Sequence, residues 1–249
     1  MTTQANDYDS YAAELASFTA AREQGGVAND GLLRQLLEVL GDVAGLRVLD
    51  AGCGDGYLAR VLAARGARVT GIDLGPRLIE RARRRDPRGE IDYRVADLSA
   101  PLPGESGSFD AVATFLALND VDDYRGFIAT LADLLKPGGR LLAAFNSPYG
   151  AVIRRNITDY FDSGATAPYQ GLWGMGIKTY LRHRTLEEYV DAFTGAELRL
   201  TKLADSTANC FQPIPDSILP EGYRFPRFMI LAFVRDWSSR PSEVAESPT

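Results

Sequence analysis

The sequence predicts an α/β fold, a mostly parallel sheet with helices on both faces. Three observations predict it. Residues Arg47 to Gly56 read Arg-Val-Leu-Asp-Ala-Gly-Cys-Gly-Asp-Gly, a short apolar run that breaks into three glycines at alternate positions, Gly52, Gly54 and Gly56. Tyr57 to Ala64 then carries a helical pattern. Acidic residues close successive apolar runs at nearly even spacing, Asp50, Asp73 and Asp97, as a chain of strand–helix–strand units would place them.

Composition bounds the function. The 249 residues suffice for one α/β domain with some extra cover. The net charge of −6 disfavours a broad nucleic-acid surface. No apolar run is long enough to span a bilayer and the start does not read as a signal peptide, so a cytoplasmic protein without membrane contact is expected. Cys53 lies in the glycine loop and Cys210 far from it, which gives no disulfide framework and suits a reducing compartment. With one histidine beside two cysteines, a structural zinc site is not expected, and no metal is assigned.

Met1 to Asn6 are polar and expected to be disordered. Tyr8 to Ala21 reads as a helix with Tyr8, Tyr11, Leu15 and Phe18 along one side. Asn29 or Asp30 caps a second helix, whose Leu32, Leu33, Leu36, Leu37 and Leu40 form one apolar stripe. Val48 and Leu49 begin the first strand, and a glycine turn followed by a helix lets the backbone approach a ligand. Arg68 to Asp73 is the second strand. Pro76 to Arg85 is a helix with proline near its start, and its arginines read as a solvated face. Ile91 to Val95 is the third strand and Phe109 to Phe115 the fourth. Asp122 or Asp123 starts the next helix, which Pro137 and a left-handed glycine should end before a fifth strand over Leu141 to Phe145.

Gly150 to Arg184 is an aromatic-rich insert, with Tyr160, Phe161, Tyr169, Trp173 and Tyr180. Thr185 and Glu188 form a capping box for a helix through Phe193. Glu197 to Ala204 and Arg227 to Val234 are the last strands. A three-proline loop over 205–223 should return across the active-site end, and 236–249 reads as a disordered tail.

The pattern Asp50, Gly52, Gly54, Gly56 resembles the first motif of the class I S-adenosylmethionine-dependent methyltransferases, an acidic residue followed by Gly-x-Gly-x-Gly. A dinucleotide site wants its third glycine one position later, where this chain has Tyr57. Phe109-Asp110 and Leu135-Lys136-Pro137-Gly138-Gly139-Arg140 are similar to the family's fourth-strand start and to the turn before its fifth strand. The resemblance covers about Arg47 to Arg235. It looks closest to the small-molecule branch, given a Tyr-rich N-terminal helix, a middle insert and no appended recognition domain.

The resemblance implies a Rossmann-like sheet of seven strands, with the last strand antiparallel beside the fifth. It implies S-adenosylmethionine as cofactor. Asp50, Gly52, Cys53 and Gly54 would form its cradle, with loop N–H groups on the methionine carboxylate. Asp73 would hold the ribose and Asp97 the adenine amino group, with Leu74 and Leu98 on the ring. Leu116 would border cofactor and acceptor, and Tyr11 and Tyr8 would close over the top. The expected organisation is an N-terminal helical lid (1–46), a cofactor-binding core (47–149), an acceptor insert (150–184), the rest of the core sheet (185–235) and the tail.

The expected acceptor walls are Tyr8, Tyr149, Tyr169, Trp173 and Tyr180. Candidates to orient or deprotonate the acceptor are His183, Asn119, Asp120 and Tyr149. Asn146-Ser147-Pro148-Tyr149 looks like the Asn-Pro-Pro-Tyr loop of enzymes that methylate amino groups of nucleic acids and glutamine. It follows the fifth strand rather than the fourth and lacks a proline, so it reads as a turn. The expected function is methyl transfer to a small molecule, an aromatic or alkaloid-like secondary metabolite, with carbon (an indole-type ring carbon included), nitrogen and oxygen all open as targets. An NAD(P)-dependent oxidoreductase and a non-catalytic S-adenosylmethionine-binding protein are the alternatives. A monomer or homodimer is expected.

Overall fold

The computed structural model describes residues 7–27, 30–153, 157–170, 178–206 and 226–236. The expectations for residues 1–6, Trp173, Cys210, most of the proline-rich loop and nearly all of the tail fall outside these.

The first helix, α1, spans Ala12–Gly25 and starts later than its sequence suggests. Asp7 explains the delay: its Oδ1 accepts the Ser10 amide at 3.1 Å and its carbonyl accepts Ser10 Oγ at 2.8 Å, closing a tight turn over Tyr8 to Tyr11. Helix α2 spans Gly31–Leu40, and Asp30 is its cap, accepting the Leu33 amide at 3.1 Å. Its five stripe leucines are all buried.

The core then alternates strand and helix: β1 Arg47–Ala51, α3 Tyr57–Ala63, β2 Arg68–Asp73, α4 Pro76–Arg84, β3 Asp92–Val95, β4 Phe109–Phe115, α5 Tyr124–Leu134 and β5 Leu135–Asn146. Helix α6 (Pro148–Ile153) and strands β6 (Thr166–Gln170) and β7 (Lys178–Arg182) lie in the insert, where the two strands form an antiparallel pair. Helix α7 (Leu186–Gly195) opens with the complete capping box, Thr185 with Glu188. Strands β8 (Leu198–Ser206) and β9 (Phe228–Arg235) close the chain's described part.

Seven strands form one sheet in the order β3-β2-β1-β4-β5-β9-β8. β3, β2, β1, β4 and β5 run parallel, and β9 is antiparallel to both its neighbours. The chain leaves β1 to opposite sides, so a crevice opens there at the carboxyl ends of the strands. Alternating strand residues feed two cores: Val48 packs with the leucines of α2, and Leu49 with Phe127, Ile128 and Leu131 of α5. No helix among the described residues is long and apolar enough to cross a membrane.

Two local expectations are corrected. Gly138 does not terminate α5. The helix stops at Leu134, and Leu135 is already extended because it pairs with Phe109 of β4. Pairing resumes at Arg140 with Ala111, so β5 carries residues 136–139 against Asp110 alone. Gly138, at φ +72°, turns the chain inside this bulge. The arginines around α4 are not all a solvated face. Arg83 Nη2 donates to the Tyr93 carbonyl at 2.6 Å, and Arg85 pairs with both Glu23 and Asp55.

Candidate active site

A cavity of about 750 Å³ lies where the crevice opens. Its floor is the glycine loop, which folds back on β2: the Gly52 and Cys53 amides donate to the Ile72 carbonyl at 2.8 and 3.0 Å, and the Gly54 amide to Asp73 Oδ2 at 2.8 Å. Gly52 (φ +73°) has no room for a side chain, since a Cβ there would lie 2.5 Å from Ala117 Cβ. Gly54 (φ +55°) faces open space. The amides of Gly52, Cys53 and Gly54 thus donate to β2.

Asp73 ends β2 and takes a second amide, Gly75 N, on Oδ1 at 2.8 Å. Burial raises its pKa above the ordinary carboxylate value, and the two amides oppose that rise. Asp50 lines the cavity beneath the loop, and its Oδ2 has no hydrogen-bond partner among the described residues. Burial pushes it up to about 7, the Ala59 amide opposes this and the charge of Asp73 adds to it. Burial likewise raises the Cys53 thiol, so this cysteine behaves as packing rather than as a nucleophile. Leu74 is 68% exposed at the cavity wall and Leu98 is buried at its base. Asp97 is exposed, with Oδ1 accepting the Ser99 amide at 2.8 Å. Leu116 also lines the cavity and is held left-handed at φ +62°, a conformation that a leucine rarely adopts.

The N-terminal segment forms another wall. Tyr8, Leu15, Thr19 and Arg22 line the cavity, whereas Tyr11, at the N-cap of α1, does not. Arg22 pairs with buried Asp30, which also accepts Tyr57 Oη at 3.1 Å, and its guanidinium lies 4.7 Å from the Tyr57 ring centre. Sequence reasoning missed Arg22. The available signal was its place four residues after Phe18 on the stripe of Tyr11, Leu15 and Phe18. Asp9 was missed too: its Oδ1 accepts the Arg77 and Leu78 amides at 2.7 and 3.1 Å, capping α4 from 68 residues away.

Past β4, a short 3-10 turn at Leu118–Asp120 brings Asn119 and Asp120 to the cavity, with Asn146 from β5 and Tyr180 from β7. Asn119 Oδ1 accepts the Asn146 amide at 2.8 Å and Nδ2 donates to Tyr189 Oη at 3.3 Å. Two candidates lie elsewhere. His183 is 2% exposed, does not line the cavity, and sets Nε2 2.7 Å from the Tyr160 carbonyl oxygen. The cause is local: Tyr160 Oη accepts the Leu186 amide at 2.9 Å, and the capping box fixes the turn, drawing His183 into the junction. Tyr149 does not line the cavity either and stacks on Tyr160 with ring centres 5.5 Å apart. Tyr169 lies on β6, with only its backbone described.

Residues 49–143 match the family described as "Methyltransferase domain". Among curated proteins, the chain is 38% identical over 173 residues to a ubiquinone biosynthesis O-methyltransferase of Methylocella silvestris, covering 68% of this chain and 63% of that protein. It is 41% identical over 117 residues to a demethylmenaquinone methyltransferase of Tropheryma whipplei, covering 46% of this chain and 48% of that one. The chain thus spans less than two thirds of these relatives. Among solved structures, an S-adenosylmethionine-dependent methyltransferase from Mesorhizobium loti superposes with a TM-score of 0.67 at 26% identity, covering 84% of this chain and all of that one. Residues 49–143 thus carry a methyltransferase domain, and the sheet order and the glycine loop folded onto Asp73 are consistent with the class I S-adenosylmethionine-dependent methyltransferases.

Proposed function

We propose that the protein transfers a methyl group from S-adenosylmethionine to a small aromatic acceptor carrying a hydroxyl or similar nucleophile. One observation carries this: a single cavity runs from Asp73, Leu74 and Asp97 to Asn119, Asp120 and Tyr180, giving room for donor and acceptor in one space. Relatives named for ubiquinone biosynthesis and for methylation of demethylmenaquinone support a ring-bearing small molecule. The alkaloid-like secondary metabolite suggested by the sequence has no such support.

The residues present fit the cofactor. Gly54 leaves open space, and the carboxylate of Asp73 keeps lone pairs for hydroxyl donors after taking two amides. Leu74 and Leu98 offer apolar faces for the adenine, and Asp97 an acceptor for its amino group. Arg22, though paired with Asp30, adds hydrogen-bond donors for the methionine carboxylate beside the loop and the start of α3. S-adenosylmethionine supplies a methyl group on a sulfonium, open to in-line displacement. The protein's task is then positioning. Asn119 and Asp120 orient the acceptor, with Asp120 the group that receives its proton. Tyr8 and Tyr180 wall off water.

The experiment is a thermal-shift titration with S-adenosylmethionine, S-adenosylhomocysteine and NADP, for wild type and Asp73→Ala. A ligand at a hundredfold excess over its Kd stabilises by about 2.7 kcal/mol. Stabilisation by the first two alone, lost in Asp73→Ala, is expected, followed by methyl transfer to catechol. A shift with NADP and none with S-adenosylmethionine would overturn the proposal.

A further inference from the structure

Arg184 stands at the end of the insert, one residue before the cap of α7, and is 4% exposed. A guanidinium stays charged in a protein, so burying it demands compensation. Here that comes from the acceptor-side turn. Nη2 donates to the Val121 carbonyl at 2.6 Å and to the Asp122 carbonyl at 3.2 Å, and Nη1 to the Leu118 carbonyl at 3.4 Å. The guanidinium carbon lies 4.2 Å from the Tyr124 ring centre, at the start of α5. One side chain thus gathers three carbonyls that bracket Asn119 and Asp120. Neighbouring Arg182 pairs with Asp122, so the insert grips this turn a second time.

Arg182 reaches only the Asp122 side chain, whereas Arg184 holds the backbone of the turn. The Leu118–Asp120 turn is three residues long, and the Asp120 amide donating to the Ala117 carbonyl at 2.9 Å is its one backbone hydrogen bond of the helical kind among those of the described residues. Asn119 is fixed from the far side by the Asn146 amide and by Tyr189. Arg184, just before the cap of α7, and Tyr189 within that helix flank the turn, and both rest on Tyr124.

We infer that Arg184 is a positioning residue for the acceptor: its guanidinium sets the Leu118–Asp122 backbone and thereby aims Asn119 and Asp120 into the cavity, leaving the cofactor end untouched. This rests on the reading of that end of the cavity as the acceptor site. A guanidinium is required because its planar fork spans several carbonyls at once, which a compact ammonium does only in part.

The test uses the full chain with Arg184→Gln and Arg184→Lys. Amide exchange by mass spectrometry is expected to rise at least tenfold over residues 118–123 in Arg184→Gln, with residues 48–58 unchanged, and Arg184→Lys is expected to recover part of the protection. The Kd for S-adenosylmethionine should stay within twofold of wild type. With catechol as the acceptor probe, kcat/KM should fall at least tenfold while KM for S-adenosylmethionine holds. Unchanged exchange over 118–123, a Kd for S-adenosylmethionine that worsens in step with turnover, or a lower Tm with unaltered catechol kinetics would each overturn the inference. A wild type that binds no S-adenosylmethionine would sink the proposed function instead, and the exchange measurement would still decide the role of Arg184.

Discussion

The two oxygens of Asp73 and the amide of Gly54 tie the end of β2 to the middle of the glycine loop, with Gly54 N 2.8 Å from Oδ2 and Gly75 N 2.8 Å from Oδ1. The residue expected to hold the ribose therefore also shapes the floor beneath it. Asp73→Ala is expected to cost about 1–3 kcal/mol of stability, by leaving amides unpaired, and to abolish S-adenosylmethionine binding. Asp73→Asn keeps one acceptor oxygen and should fold nearer to wild type yet still bind weakly. Urea unfolding with and without ligand separates the two effects.

The glycines of the loop make a paired prediction. Gly52→Ala drives a methyl into Ala117 at positive φ and should destabilise by about 2 kcal/mol or more. Gly54→Ala meets nothing in the protein and should cost about 1 kcal/mol from its φ alone. Its methyl enters the cavity, so ligand affinity should fall more than stability. Equal loss of ligand affinity in both variants, once corrected for unfolding, would remove Gly54 from the binding surface.

Asp50 sets a pH dependence. Its folded-state pKa is about 7 against 3.8 for the unconstrained group. Between these values the folded chain retains a proton that the unfolded chain has released, so this group's contribution is full below about pH 4 and is lost as pH rises through 7. At 1.36 kcal/mol per unit the span is roughly 4 kcal/mol. Asp50→Asn removes the titration. The variant's stability relative to wild type, from urea unfolding, should grow steadily from pH 4 to 7 and then level. A difference constant with pH would contradict this assignment.

Asp9 reaches across the molecule to cap α4. Asp9→Ala should cost about 1 kcal/mol in urea unfolding and loosen the segment carrying Tyr8. Affinity for S-adenosylmethionine should drop severalfold, with the amides of Arg77 and Leu78 exchanging faster. Unchanged exchange at those two amides would show that the cap does not form in solution.

Much of this was legible because it is local. The β1–loop–α3 unit, the Asp73 position, the Thr185–Glu188 box and the leucine stripe of α2 are each written in a few adjacent residues. What escaped depends on partners distant in sequence. Leu135 leaves α5 one turn before Gly138 because Phe109 is its strand partner, a tertiary pairing that overrides the helix-stop signal. His183 seemed set at the mouth of the insert, yet the carbonyl of Tyr160 claims it. Arg22 drew no reading of its own, because its partner Asp30 caps the next helix. Asp9 gave no signal at all, since its amides belong to α4.

Arg22 is the single basic side chain among the described residues lining the cavity, and Asp30 already balances it, while Asp7, Asp50, Asp73, Asp97, Asp120 and Asp122 line the same space. Such a chamber favours positive guests. Methyl transfer discharges the sulfonium, turning a cationic donor into a neutral thioether. Under the proposed function the walls should hold the spent cofactor less strongly than the donor, so that exchange tilts toward fresh donor, and added salt should narrow that advantage.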